Sequence, residues 1–97
     1  MTLVLTAFWR AKEGQEETIA EIIRTMTPLS RAEAGCHEYI GHRSTEDPRL
    51  FMLYEVYADQ TALDAHRASA HFGEHVLGRA IPLLEHREAK FYEPLAD

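Results

Sequence analysis

Residues 2–10 carry apolar side chains on both parities, with Leu3, Leu5, Ala7 and Trp9 on one and Val4 and Phe8 on the other. That pattern predicts a strand whose two faces are both covered. The "AKEG" stretch turns the chain, and a helix follows from about Gln15, with Ile19, Ile22, Ile23 and Met26 in one stripe. Pro28 is expected to kink or end it, because proline removes a backbone donor. "SRAEAG" reads as one further helical turn closed by Gly35 as a C-terminal cap. "CHEYIGHRS" is the second strand, "TEDPR" a turn, and "LFMLYEVY" a third strand, again apolar on both parities.

Asp59 then offers an N-cap to a helix with Leu63, His66 and Ala70 on one side. Phe72, Val76, Ala80 and Leu83 form a second stripe. Phe72 falls about half a turn from Leu63 at helical spacing, so a break is expected near Ser69, which can cap the second piece. Gly78 and Pro82 should bend or fray its far end, and "REAKFYEP" closes the chain as a fourth strand. The order β-α-β-β-α-β predicts an α+β, ferredoxin-like domain over residues 1–97, a four-stranded antiparallel sheet with helices on one face. Two helices cover one face only. The other face therefore needs a protein surface, and sheet-to-sheet self-association into a homodimer is the simplest solution.

Composition narrows the function. The 97 residues suit one core, and 45% hydrophobic content argues against disorder. Sixteen acids against ten Lys and Arg, for a net charge of −6, disfavour nucleic acid, which needs clustered positive charge. No apolar run approaches a membrane span, and the opening "MTLVLTAFWRAKEG" reads as a strand and not as a signal peptide. Cys36 is the single cysteine, which points to a reducing cytoplasm and to a small buried hydrophobe.

Candidate chemistry is concentrated in "HRASAHFGEH", residues 66–75, with three histidines. His71 and His75 share a helix face, yet no HExxH pattern or cysteine cluster accompanies them, so a metal is not expected. His66 shares the Leu63 side and should look into the space between helix and sheet, either as a core histidine satisfied by a carbonyl or as a base. His71 stands in the first turn of the second helix, where the dipole favours the neutral ring that a base requires. His75 reads as surface. Glu55, in the middle of an apolar strand, must be paired or functional, and His66 would satisfy it. Trp9, Tyr39, Tyr54, Tyr57, Phe72 and Phe91 are candidates for a cavity lining or for plain core. Arg43 and Arg79 are candidate anion anchors or simply solvated.

"SRAEAGCHEY", "FMLYEVYADQTALDAHRASAHF" and the opening "KEGQEE" resemble the antibiotic biosynthesis monooxygenase domain family. The shared features are G-C-x-x-Y, an acid-Pro turn, E-x-aromatic-x-D, and A-L-x-x-H-x-x-S-x-H-F, in order across nearly the whole chain. The resemblance implies a dimeric α/β barrel with a pocket in each subunit between sheet and helices. The motifs are not specific for one activity. Members of the family include cofactor-independent monooxygenases of phenols and quinols, heme-degrading enzymes and an isomerase of a phosphorylated sugar derivative, and many have no established substrate. Glu55, His66 and His71 match motif positions. The chain contains no asparagine, has Ala7 at the strand-one position that heme degraders fill with Asn, has Tyr57 where Trp is common, and matches the heme-binding His only near His75 or Val76. Heme degradation is accordingly not expected.

The resulting expectation is a cytoplasmic homodimeric monooxygenase without cofactor, using dioxygen and a phenol, quinol or related substrate. His66 is the first candidate base, oriented by Glu55, and His71 the second, with Trp9, Tyr39, Tyr57 and Phe72 contacting substrate. The alternatives are a non-catalytic small-ligand-binding dimer and an isomerase of a small phosphorylated hydroxy-dione.

Overall fold

The computed structural model describes residues 1–96 and contains a four-stranded sheet in the order β2-β3-β1-β4, every neighbouring pair antiparallel. The strands are β1 (Leu3–Ala11), β2 (Cys36–Arg43), β3 (Leu50–Tyr57) and β4 (Leu84–Tyr92). Helix α1 (Glu16–Arg31) joins β1 to β2, and α2 (Gln60–Arg67) follows β3. A π-helical segment (Phe72–Ala80) and one 3₁₀ turn (Ile81–Leu83) lead into β4. This is the expected ferredoxin-like α+β architecture.

Alternation on the two central strands decides where the core lies. Leu5, Ala7, Trp9 and Ala11 of β1 and Phe51, Leu53 and Tyr57 of β3 are buried on the helix side. Ile19, Ile22, Ile23 and Met26 of α1 pack against them, as the stripe predicts. Each such large side chain contributes roughly 1.5–3 kcal/mol on burial. The opposite parity, Val4, Thr6, Phe8, Met52, Tyr54 and Val56, is only half-buried. Within one chain the second face is thus less covered than the sequence pattern calls for.

Several local details depart from expectation. Pro28 does not end α1, which continues to Arg31. It sits on the exposed side one turn from the helix end, where water can take the freed carbonyl of Arg24, and its own carbonyl still accepts from Ala32 N at 3.1 Å. Gly35 is not a left-handed cap, since among the described residues Gly14 in the β1–α1 turn is the one with a positive φ, 83°. A Cβ at Gly35 would collide with the Ala62 side chain, so this glycine permits α2 to approach. Asp59 caps α2 as expected, its side chain accepting from Ala62 N at 2.9 Å. β4 begins at Leu84, three residues before the predicted start, because Leu84 pairs with Ala11.

The break near Ser69 is real and consequential. Ser69 Oγ accepts from Phe72 N at 3.2 Å and donates to the His66 carbonyl at 2.6 Å, closing one helix and starting the next with a single hydroxyl. The following turns are wide, with the Ile81 N–H reaching the Val76 carbonyl five residues back. Such widened turns are rare and are frequent at functional sites.

Candidate functional site

A cavity of about 490 Å³ opens between the helix-side face of β1 and β4 and the α2–π-helical layer. That size suits a small organic ligand, typical sites enclosing roughly 300–1,000 Å³. Its walls are apolar: Leu5, Ala7 and Trp9 from β1, Leu63 from α2, Phe72 and Val76 from the π-helical segment. His66 and Glu55 supply the polar groups on its inner wall, and Arg67, Arg87 and Glu88 those toward the open side.

His66 is 2% exposed and is held from both sides. Its Nδ1 lies 2.9 Å and 3.1 Å from the two carboxylate oxygens of Glu33. A carboxylate only accepts, so Nδ1 carries the proton and Nε2 presents a lone pair. Tyr57 and Phe72 flank the ring at centroid distances of 5.3 and 5.2 Å, and Tyr39 stands at 5.9 Å. Burial pushes the His66 pKa down, against the opposing pull of the Glu33 bond, so the ring favours its neutral, proton-accepting form.

Glu55 does not orient His66. Its Oε1 lies 3.8 Å from His66 Nε2, beyond hydrogen-bonding distance, and instead accepts from the Tyr57 hydroxyl at 2.6 Å. Burial raises the Glu55 pKa to about 7, with the Tyr57 bond and the nearby Arg67 charge pulling the other way. An acid that changes protonation near neutrality therefore faces a neutral imidazole across a gap into which a ligand hydroxyl can reach.

Of the expected site residues, Trp9, Glu55, His66 and Phe72 come together at the cavity. Tyr39 and Tyr57 do not line it. They are buried behind His66, on the same helix-side face as Glu55 but away from the cavity. His71 is not on the cavity wall either: its Nε2 donates to Glu33 Oε2 at 2.5 Å, behind His66. His75 is not a surface residue, since its side chain is only 15% exposed. Cys36 is half-buried, its thiol pushed up to about 11 chiefly by burial. Arg43 is committed to Glu17 at 3.0 Å and lies over Phe51.

Glu33 is the residue that sequence reasoning missed. It lies in "SRAEAG", where an acid reads as solvated, and only the fold carries it to two histidines more than thirty positions away. The available signal was indirect: buried histidines need acceptors. Glu33, His66 and His71 are also the set that could hold a divalent ion, each presenting one ligand atom within 4.8 Å of the others. Their mutual contacts are those of N–H donors on a shared carboxylate, which satisfies both rings by hydrogen bonding.

A family model described as antibiotic biosynthesis monooxygenase matches residues 2–76, a stretch that includes Glu33, Glu55, His66 and His71. The chain belongs to the antibiotic biosynthesis monooxygenase family. The Pseudomonas aeruginosa protein PA3566 has a similar structure, with a TM-score of 0.91 and 32% identity over 98% of this chain and 95% of that one. A structure described as an antibiotic biosynthesis monooxygenase superposes with a TM-score of 0.90 over 97% of this chain and 99% of its own. Its 22% identity speaks to the fold alone. An uncharacterized Synechocystis protein, sll1783, is 26% identical over 94% of this chain, which spans only 62% of that protein's length. No helix among the described residues is long and apolar enough to cross a membrane.

The two buried titrating groups give stability opposite dependences on pH. Glu55 has a folded pKa of about 7 against an ordinary 4.5, so the folded state keeps a proton that the unfolded chain loses, and this contribution falls as pH rises through that interval. His66 has a folded pKa below the ordinary 6.5, so its contribution is lost as pH falls below that value. Glu55→Gln removes the first slope and keeps the second. In urea unfolding, the variant should gain stability relative to the parent chain between pH 4.5 and 7 and level off above. A stability difference that is flat across that range contradicts the assignment.

Proposed function

We propose that this chain is a cofactor-independent monooxygenase that oxidises a phenol, quinol or related electron-rich small molecule with dioxygen. The observation that carries this reading is the Glu33–His66 hydrogen bond, which leaves the second ring nitrogen as an acceptor at an apolar cavity beside Glu55. A substrate hydroxyl docked there gives its proton to His66 Nε2. The Glu33 carboxylate then stabilises the imidazolium through the Nδ1 proton. Glu55, able to hold or release a proton near neutral pH, is the second proton-handling group.

Once deprotonated, an electron-rich ring can supply the electrons that dioxygen requires. In a phenol with a hydrogen para to its hydroxyl, one oxygen atom enters that position as a carbonyl, and the other leaves as water with the displaced ring hydrogen and the hydroxyl proton. The substrate is the reductant, so the scheme calls for no metal or organic cofactor. Trp9 and Phe72 contribute the apolar walls that keep water from the anion. Tyr39 and Tyr57 act from behind, fixing the His66 ring and Glu55. His71 holds the far side of Glu33 and so positions the dyad. Membership in the family supports the reaction class.

The assembly is part of the same reading. The half-buried face formed by Val4, Phe8, Met52, Tyr54 and Val56 is taken as the surface on which two copies meet, sheet to sheet. Light scattering at micromolar concentration should return about twice the 11.1 kDa chain mass. A monodisperse monomer contradicts the paired-sheet assembly.

Catalysis is tested by oxygen uptake with a panel of quinols and hydroxylated polycyclic aromatics. His66→Ala should lower turnover by about 10²–10⁴-fold with the fold retained, the range a general base contributes. His71→Ala should cost less, because His71 is off the cavity wall and acts on His66 through Glu33 and ring packing. Equal turnover per folded molecule in His66→Ala and the parent chain defeats the assignment of the base. Retention of aromatic ligands without oxygen uptake points instead to a ligand-binding dimer.

A further inference from the structure

The cavity carries two arginines, Arg67 and Arg87, that have no ion-pair partner among the described residues. Arg87 stands opposite Trp9 in the β1–β4 register, on the same parity as Ala89 and Phe91, so it projects from the helix-side face of the sheet along the cavity. Arg67 follows His66 at the end of α2, and its guanidinium lies 5.6 Å from the centroid of the Phe91 ring. That contact holds it along the cavity rim.

Arg79 also has no ion pair among the described residues but does not line the cavity, and the remaining arginines are engaged elsewhere. Arg10 and Arg49 both bond Glu85, at 2.9 and 3.0 Å, Arg43 bonds Glu17, and Arg31 donates to the Tyr39 carbonyl. Among the described residues, no carboxylate lies within 4.0 Å of Arg67 or Arg87 in a chain where acids outnumber Lys and Arg sixteen to ten. Glu88, which follows Arg87 and borders the cavity, belongs to the opposite parity of β4 and has Lys90 at 3.9 Å, while Asp64, one turn before Arg67, accepts from Gln60 at 2.9 Å. The Arg67 charge is felt within the cavity, where it opposes protonation of both Glu55 and His66.

We propose that Arg67 and Arg87 form an anion subsite at the cavity rim, and that the ligand is an amphipathic aromatic acid whose carboxylate they bind. Its ring lies against Trp9 and Phe72, and its hydroxyl reaches the inner wall. The hydroxyl end rests on the function proposed above, whereas the carboxylate end rests on the two arginines alone. Guanidinium groups suit this role because their planar donors match a carboxylate and remain charged at every working pH.

Trp9 is the single tryptophan and lines the cavity, so its fluorescence reports binding without any turnover. Gentisate, a dihydroxybenzoate, and its methyl ester share the ring and hydroxyls and differ at the rim group, a charged carboxylate against a neutral ester. At low ionic strength, gentisate should bind about tenfold or more tightly than the ester, a preference that shrinks with added salt. In the Arg67→Gln, Arg87→Gln double variant, the acid-to-ester ratio should fall to near one. Both positions are exposed, and a circular dichroism spectrum checks that the fold is kept. Equal or tighter binding of the ester by the parent chain, a preference that survives in the double variant, or no quenching by either compound at millimolar concentration overturns the proposal. Binding and oxygen uptake fail independently. Acid preference without oxygen uptake retains the subsite and discards the oxygenase, and oxygen uptake without acid preference does the reverse.

Discussion

Burying an imidazole removes its hydration, and the cost is met only if each ring nitrogen that carries a proton finds an acceptor. In this chain, Glu33 meets it for two rings at once, His66 and His71. Everything notable about the site follows from that shared carboxylate. It fixes the His66 tautomer, orients the lone pair of Nε2 away from Glu33 toward Glu55, and leaves Glu55 to find its own donor in Tyr57. Two carboxyl groups on either side of one histidine thus have different tasks. One is an acceptor that holds the ring, and the other is a buried acid poised near neutrality.

The fold is arranged to deliver these groups from four places in the chain. Glu33 comes from the α1–β2 connection, Glu55 from the middle of β3, His66 from the last turn of α2, and His71 from the turn that follows the Ser69 break. Without the break, Phe72 would continue the α2 helix about half a turn from Leu63. With it, Phe72 packs edge-on against His66 and the same segment supplies a cavity wall. Gly35 matters for the same reason. Its missing side chain lets Ala62, one turn before His66, close on the connection that bears Glu33.

The architecture was legible because it is written in short-range periodicity. The strands β1 and β3, the Ile19–Met26 stripe, the Asp59 cap and the phase slip at Ser69 each follow from local geometry, and each is found, although burial on β1 and β3 alternates where the sequence is apolar on both parities. Half the site was legible for a related reason: Glu55 and His66 stand out as polar groups at apolar positions, which folding must explain. Glu33 was not legible, since an acid before a glycine in a surface-like stretch carries no sign of a partner thirty-three residues on. Tyr39 and Tyr57 were misplaced because parity tells which face of the sheet a residue occupies, not whether it meets the cavity or the core beneath α1 and α2. The arginines at the rim escaped notice because unpaired charge is a property of three-dimensional neighbours.

The central claim is that Glu33 holds His66 with its proton on Nδ1 and its lone pair at the cavity. Long-range ¹H–¹⁵N correlation of the histidine rings at neutral pH measures this directly. The account predicts that His66 shows a protonated Nδ1 and an unprotonated Nε2, and that Glu33→Gln shifts or abolishes this preference while the rest of the spectrum stays folded. A His66 ring protonated on Nε2, or one whose tautomer is indifferent to loss of the Glu33 carboxylate, would contradict it.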